Sequence, residues 1–181
     1  MKLIFIRHGI TKGNLQHRYI GKTDESLCPE GIDFLKAKAY PDCDKILVSP
    51  LKRCIQTAEI LYPEKKMQIV LDFRECNFGD FEGKNYQDLN QNPVYQQWID
   101  SGGMLPFPNG EHPQNFRKRC VKAFLETLPD SGRIAYIIHG GTIMSILSEF
   151  AGGNYYDYQI PNGRGYLTDW SEHKIKILEE L

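Results

Sequence analysis

Short, continuous apolar runs are the feature that most constrains how this chain can fold. They occupy residues 3–6, 46–48 and 134–138, and each has only the length of a core strand. Continuous runs of this kind are typical of strands that are buried on both faces of a parallel sheet. We therefore predict buried strands there, a further strand at about 67–71, and a terminal antiparallel hairpin at 165–170 and 174–178 on the sheet edge.

Helical patterns separate these strands. Pro29 and Pro50 precede apolar helical patterns, at positions where a first helical turn does not need the N–H group that proline lacks. Ser49 is suited to cap the helix that follows it. The apolar spacing predicts helices at about 29–39, 51–62 and 114–128, another that begins after His139, and two short ones at 85–90 and 94–101. This order of strands and helices indicates an α/β protein.

The first strand delivers Arg7, His8 and Gly9 at its carboxyl end. Open α/β sheets bind ligands at that end of their strands. Arginine supplies planar paired donors to a phosphate, and a histidine can attack phosphorus. Because a lone histidine after a strand is more commonly a structural residue, these three residues need support from elsewhere in the chain.

A second histidine follows a second buried strand. The run 134–138 leads into His139, Gly140 and Gly141 at a predicted helix start, where backbone amides favour an anion. Arg53 falls outside the apolar stripe of the helix at 51–62, so we expect its side chain to face a cleft at the helix N-terminus. Two histidines at two strand ends, together with Arg7 and Arg53, predict a phosphate-sized site.

Carboxylates and an amide lie in two further stretches near this site. Glu75 or Glu82 would serve as a proton donor if burial raised its pKa, and a surface or ion-paired carboxylate is the alternative for each. Asn14 belongs to a polar segment at 11–18, from which it can reach an oxyanion.

Length and charge exclude some classes of protein. The 181 residues suit a single domain over 1–181, and 22 basic against 23 acidic residues argue against a nucleic-acid surface. The cluster formed by Arg117, Lys118, Arg119 and Lys122 is interpreted as a solvated helix face. The segment at 85–113 is either a lid that shapes substrate choice or a plain surface insertion.

Cysteine usage and hydropathy indicate the compartment. The five cysteines are scattered and odd in number, so they predict neither a disulfide framework nor a zinc site and favour a reducing environment. No secretory signal or membrane span is visible in the sequence, and we expect a cytoplasmic protein without a membrane partner.

Five ordered stretches resemble the histidine phosphatase superfamily, in the branch that holds cofactor-dependent phosphoglycerate mutases and small phosphatases. They are Arg7-His8-Gly9 with Thr11 and Asn14; Gly21, Asp24, Leu27 and Gly31; Ser49-Pro50 with Arg53, Gln56, Thr57 and Ala58; Arg74-Glu75 with Phe78-Gly79 and Glu82-Gly83; and His139-Gly140-Gly141. The set spans nearly the whole chain. The resemblance implies a three-layer α/β/α sandwich with a mostly parallel central sheet, in agreement with the strand and helix pattern.

The resemblance also implies roles for single residues. His8 would be the nucleophile that forms a phosphohistidine, and Glu75 would protonate the leaving oxygen and then help to activate water. The remaining implied residues bind the phosphoryl oxygens through side chains or backbone amides: Arg7, Asn14, Gly21, Arg53, His139 and Gly140. No metal or other cofactor is implied. Ile20 departs from the family pattern, because a small hydroxyl residue is frequent at that position.

Two enzymatic functions and one binding function follow from the resemblance. The compact chain favours a metal-independent phosphomonoesterase that acts on a small phosphorylated metabolite, and it looks most like enzymes that hydrolyse α-ribazole 5′-phosphate. A phosphoglycerate mutase-type phosphotransferase and a noncatalytic phospholigand-binding protein are the alternatives. The expected partner is a small-molecule phosphate ester, and a homodimer is left open.

Overall fold

A computed structural model describes all residues from Met1 to Leu181 and contains one six-stranded sheet. The strands are β1 (Lys2–Arg7), β2 (Lys45–Val48), β3 (Met67–Ile69), β4 (Arg133–Ile138), β5 (Gly165–Ser171) and β6 (Lys174–Glu180). Their order is β3-β2-β4-β1-β5-β6. The first four strands in this order run parallel, and β5 pairs antiparallel with both β1 and β6. The predicted hairpin is therefore confirmed.

Seven helices connect and cover the strands. They are α1 (Lys12–Leu15), α2 (Pro29–Lys36), α3 (Lys52–Leu61), α4 (Tyr86–Leu89), α5 (Pro93–Asp100), α6 (Pro113–Thr127) and α7 (Gly140–Phe150), with short 3₁₀ turns at Leu71–Phe73, Gly79–Phe81 and Tyr155–Tyr158. All the predicted helices are present, and their ends differ from the predicted ends by at most three residues. None of the helices is long and apolar enough to cross a membrane.

Helices cover both faces of the sheet. Because successive side chains of a strand point to opposite faces, each central strand contributes to two separate cores. On β1, Leu3 and Phe5 pack into a core with α6 and α7, whereas Ile4 and Ile6 pack into a second core with α3. Helix α2 packs on α3. The predicted three-layer α/β/α sandwich with a mostly parallel sheet is thereby confirmed.

The carboxyl ends of β1, β2 and β4 meet at one edge of the sheet. Arg7 pairs with Ile138 across β1 and β4, and Val48 pairs with Ile137 across β2 and β4. The next residue after each strand is His8, Ser49 or His139, so three polar side chains are delivered to the same edge. All three are buried.

The prediction that Ser49 caps the second long helix is wrong. Helix α3 begins at Lys52, and its N-cap residue is Leu51, whose side chain makes no capping hydrogen bond. Instead, Asp24 Oδ1 accepts a hydrogen bond of 2.7 Å from the Lys52 amide. A carboxylate from a distant loop thus satisfies a free amide of the first turn. The Ser49 hydroxyl lies 3.4 Å from the Leu51 amide and has a closer partner in His139, at 2.7 Å.

The interpretation of the basic cluster on α6 as a solvated face is wrong for two of its four members. Arg119 forms a two-pronged ion pair with Glu111, through Nε–Oε1 at 3.0 Å and Nη2–Oε2 at 2.8 Å, and its side chain is only 11% exposed. The Arg117 guanidinium lies over the ring of Tyr155. Helical spacing alone does not reveal such contacts, since both partners come from outside the helix.

Candidate active site

A cavity of about 250 Å³ opens beside the carboxyl ends of β1 and β4. Its lining includes charged and polar groups from Arg7, His8, Asn14, Glu75 and the first residues of α7. Aromatic rings also line it: Tyr19, Phe78, Trp98, Phe107, Phe116 and Tyr155. The cavity therefore combines polar groups suited to an anion with a large aromatic surface.

His8 is held as a neutral imidazole with one free nitrogen. Its Nδ1 lies 2.7 Å from the Gly9 carbonyl oxygen, and since a carbonyl only accepts, Nδ1 must carry the proton. Burial lowers the pKa of His8 well below 6.5, and the charges of Arg53 and Arg7 lower it further. Nε2 is consequently left with an available lone pair, which is the state that a nucleophile requires.

Helix α3 fixes the backbone around His8. The Gly9 amide donates to Thr57 Oγ1 at 2.9 Å, and the Thr57 hydroxyl donates to the Arg53 carbonyl oxygen at 2.6 Å. The His8 amide donates to the Ile138 carbonyl oxygen at 3.0 Å. His8 is thereby anchored to both a helix and the neighbouring strand.

Arg53 is completely buried, whereas the sequence predicted a side chain facing an open cleft. Its guanidinium donates to the carbonyl oxygens of Thr23 at 2.8 Å, Gly21 at 2.9 Å and Ile20 at 3.2 Å. These loop residues cover the arginine from outside the helix. The Arg53 Nε atom is buried and has no hydrogen-bond partner.

Glu82 holds the loop that covers Arg53. Its Oε1 atom accepts hydrogen bonds from the amides of Gly21 at 2.8 Å and Thr23 at 2.9 Å. Of the two carboxylates that the sequence left open as proton donors, Glu82 thus has a positioning role. The same contact corrects the expectation for Gly21: its amide bonds Glu82, and Gly21 does not line the cavity.

Arg7 provides a second guanidinium with an unused donor. Its Nη1 atom donates to the Ile160 carbonyl oxygen at 2.7 Å, whereas its Nε atom is buried without a partner. Burial lowers the pKa of Arg7, and the charge of Glu75 opposes this effect. Buried N–H groups are nearly always paired in native proteins, so the unpaired Nε atoms of Arg7 and Arg53 indicate a place for an anionic ligand.

The orientation of the Asn14 amide follows from its neighbours. Asn14 Oδ1 accepts from the Thr11 amide at 3.1 Å, from the Thr11 hydroxyl at 3.1 Å and from Asn162 Nδ2 at 3.2 Å. With three donors around the oxygen, the Asn14 NH₂ group is free for the cavity. Asn162 Nδ2 also donates to the His8 carbonyl oxygen at 3.1 Å. Sequence reasoning missed Asn162, and its only local signal is a Pro-Asn-Gly turn.

Glu75 lines the cavity and is bonded to two amides. Oε1 accepts from the Cys76 amide at 2.9 Å, and Oε2 accepts from the Gly141 amide at 3.4 Å. Burial raises the pKa of Glu75, although these hydrogen bonds and the charges of Arg53 and Arg7 oppose the shift. A methyl group at Gly141 would lie 2.6 Å from Oε1, so the glycine permits the carboxyl group to approach. A raised pKa suits a group that donates a proton near neutral pH.

His139 lies behind His8 at the start of α7. The two ring centroids are 5.2 Å apart, and the His139 side chain is completely buried. Its Nε2 atom is 2.7 Å from Ser49 Oγ, a partner that the sequence did not predict. Burial, followed by the charge of Arg53, lowers the pKa of His139 well below 6.5. A neutral ring buried against His8 can rearrange its hydrogen bonds toward a bound anion without adding a charge.

The predicted site residues are divided between the cavity wall and a layer directly behind it. Arg7, His8, Asn14, Glu75 and Gly140 line the cavity. Arg53 and His139 lie in the layer behind. The charge of Arg53 lowers the pKa of both histidines, and His8 lowers the pKa of His139 further. No group of three or more His, Cys, Asp or Glu side chains is placed to hold a metal ion.

Comparisons with known proteins identify the family of this chain. The family model of the histidine phosphatase superfamily (branch 1) matches residues 3–179. The uncharacterized phosphatase PhoE of Bacillus subtilis is 30% identical over 161 residues, which cover 82% of this chain and 77% of the relative. The adenosylcobalamin/alpha-ribazole phosphatase of Escherichia coli is 28% identical over 166 residues, or 84% and 80% of the two chains.

A solved structure shows the same fold over the full length. The crystal structure of a phosphoglycerate mutase from Thermus thermophilus superposes with a TM-score of 0.80 at 27% identity, covering 100% of this chain and 98% of the other.

Proposed function

Because the chain belongs to branch 1 of the histidine phosphatase superfamily, we propose that it hydrolyses a small phosphate monoester through a phosphohistidine on His8. One observation carries the proposal: a neutral, buried His8 has a free Nε2 lone pair beside two arginines whose Nε donors are unpaired. Nucleophile and cations are in place before any substrate arrives. This is the arrangement that phosphoryl transfer requires.

In the first step, His8 Nε2 attacks phosphorus and forms a P–N bond while the ester P–O bond breaks. The leaving alcohol oxygen takes the proton of Glu75, whose raised pKa favours the protonated form. In the second step, water attacks phosphorus, the P–N bond breaks, and the Glu75 carboxylate takes a proton from the water. Inorganic phosphate leaves, and both His8 and Glu75 return to their starting states.

The phosphoryl oxygens are held by fixed donors. We assign Arg7, Arg53, Asn14 and the amide of Gly140 to these oxygens, with His139 as an additional hydrogen-bonding partner. Charge spreads over the equatorial oxygens in the transition state, so fixed cations stabilise that state more than the substrate. Gly21 acts indirectly in this proposal, by accepting from Arg53 and donating to Glu82.

The proposed substrate class is a phosphorylated metabolite, with α-ribazole 5′-phosphate as the first candidate. The relative from Escherichia coli supports this candidate at 28% identity, which leaves other phosphate monoesters open. The chain is proposed to be one domain in which segment 85–113 forms one side of the cavity, since Trp98, Gly103 and Phe107 line it. Five buried cysteines without disulfide bonds fit a reducing, cytoplasmic compartment. A homodimer stays a prediction.

Phosphate release from a panel of esters tests the proposal. The panel contains p-nitrophenyl phosphate, α-ribazole 5′-phosphate, phosphoglycerates, sugar phosphates and nucleotides, each assayed in EDTA. The wild type is expected to release phosphate, whereas His8→Ala is expected to be inactive. Equal turnover by both proteins would refute His8 as the nucleophile. Isomer interconversion that depends on a bisphosphoglycerate primer, without net phosphate release, would identify a mutase instead.

A further inference from the structure

Aromatic rings from three different parts of the chain line the cavity that contains His8. Tyr19 follows α1, Trp98 belongs to α5, and Tyr155 and Tyr156 lie in the last 3₁₀ turn. A leaving group that extends from a phosphate on His8 into this cavity would therefore meet these rings.

The rings support one another and form a wall without a ligand. Trp98 stacks on Tyr95 with 6.0 Å between centroids, and it meets Tyr19 edge to face at 6.1 Å. Gly103 brings Tyr156 close to the same place, since a Cβ atom there would lie 2.5 Å from the Tyr156 hydroxyl and 3.2 Å from Trp98 Cζ2. A preformed wall loses little conformational freedom when a ligand binds.

The charges and donors along this wall favour a flat, electron-rich group. Glu75 is the only carboxylate that lines the cavity. Arg18 is neutralised by Asp88 at 2.9 Å, whereas the Arg117 guanidinium carbon lies 3.9 Å from the ring centroid of Tyr155 and is paired with no acid. Trp98 Nε1 is buried without a hydrogen-bond partner. A guanidinium that lies over one ring extends a surface on which another ring can stack.

We propose that this cavity selects phosphate monoesters whose alcohol half carries a planar aromatic ring. Trp98 and the Arg117–Tyr155 pair are the specificity-determining surfaces. The inference rests on the proposed phosphatase function and names the substrate class for that site. Aromatic pairs gain binding energy beyond their buried area, which corresponds to a preference of about two- to tenfold over a saturated ring of similar size.

Two esters that differ mainly in whether the ring is planar and aromatic test the proposal. Benzyl phosphate and cyclohexylmethyl phosphate both release a primary alcohol, and their rings have six carbons each. The wild type is expected to hydrolyse benzyl phosphate with a kcat/KM about twofold to tenfold higher, mainly through a lower KM. Trp98→Leu is expected to bring the ratio close to one, and Trp98→Phe, which keeps a ring, is expected to retain most of it.

A matched control lies in the same segment. Tyr86 is 66% exposed and does not line the cavity, so Tyr86→Leu is expected to leave the ratio unchanged. Arg117→Gln is expected to raise the KM for benzyl phosphate more than that for cyclohexylmethyl phosphate. If Trp98→Leu does not fold, the ratio of kcat/KM for the two esters in the wild type and in Trp98→Phe still decides the question.

The outcomes separate this inference from the proposed function. Turnover of both esters with a wild-type ratio near one would overturn the aromatic preference and leave the phosphatase proposal in place. A wild-type ratio that stays the same in Trp98→Leu would also overturn the proposed role of Trp98 in this preference. Failure of the wild type to hydrolyse either ester or p-nitrophenyl phosphate would overturn the phosphatase proposal and this inference with it.

Discussion

The imidazole rings of His8 and His139 meet edge to face, with 5.2 Å between their centroids and 66° between their planes. They follow two adjacent parallel strands in register, where Arg7 pairs with Ile138. Both rings have a pKa well below 6.5, with burial as the largest cause. The protein therefore keeps two neutral bases next to the buried Arg53 and the partly buried Arg7, an arrangement that favours an incoming anion and disfavours extra protons.

The two histidines are expected to make the protein less stable as the pH falls below 6.5. In that range the unfolded imidazoles bind protons that the folded ones exclude, so protonation favours the unfolded state. The free energy of unfolding should decrease from pH 6.5 down to the folded pKa values, by up to about 1.4 kcal/mol per pH unit for each histidine. Denaturant unfolding measured at several pH values checks this dependence.

Two variants separate the buried histidines from other titrating groups. His8→Asn is expected to show a shallower decrease in stability between pH 6.5 and 5 than the wild type. His173 is exposed in the turn between β5 and β6 and has φ of 57°, which asparagine tolerates. His173→Asn is expected to keep the wild-type slope. Equal slopes in wild type and His8→Asn would show that the His8 pKa is not depressed.

Ser49→Ala is expected to reduce kcat with a smaller effect on KM. The substitution removes the hydroxyl that lies 2.7 Å from His139 Nε2, so the ring loses the strongest contact that orients it behind His8. Misplacement of a supporting group of this kind costs about 10- to 100-fold in rate. Steady-state kinetics with p-nitrophenyl phosphate measure the effect.

A serine on α7 provides the control for Ser49. Ser148 Oγ donates to the Met144 carbonyl oxygen at 2.7 Å and does not line the cavity. Ser148→Ala is expected to have wild-type kinetics. If Ser49→Ala were as active as Ser148→Ala, the proposed positioning role of Ser49 would be contradicted.

Glu75→Gln is expected to affect substrates according to their leaving groups. An alkyl phosphate needs a proton on its leaving oxygen, so its kcat/KM should fall by about 10²- to 10⁴-fold. Nitrophenolate is stable without a proton, and its ester should lose much less. In the wild type, kcat/KM for the alkyl ester should fall as the pH rises through the raised pKa of Glu75, because only the protonated carboxyl group donates.

This pH dependence should be absent from Glu75→Gln. Glu59 is exposed on α3, and Glu59→Gln is expected to retain both the activity and the pH profile of the wild type. Equal losses for the alkyl and nitrophenyl esters in Glu75→Gln would argue against proton donation by Glu75.

The placement of the two site histidines could be predicted from the sequence for a simple reason. Continuous apolar runs identify buried parallel strands, and parallel strands bring their carboxyl ends to one edge of the sheet. His8 and His139 follow two such runs, so their proximity depends on local patterns and one topological rule. The apolar face of α6 was predictable in the same way, from helical periodicity.

Contacts made by loops were not predictable. Arg53 has the spacing of an exposed helix residue, yet residues 20–23 cover it and accept its hydrogen bonds. Ser49 precedes a proline and a helix, as a cap would, but Asp24 bonds the first amide of α3. In both cases a distant loop supplies the partner, and no local propensity encodes which loop arrives.

The most direct test of the account is to trap the phosphoenzyme. The wild type is mixed with radiolabelled p-nitrophenyl phosphate and quenched in alkali, and the labelled peptide is then sequenced. We predict an acid-labile, alkali-stable phosphoryl group on His8 that forms and decays at the rate of turnover, and no label in His8→Asn. Label on any other residue, or full turnover by His8→Asn, would contradict the account.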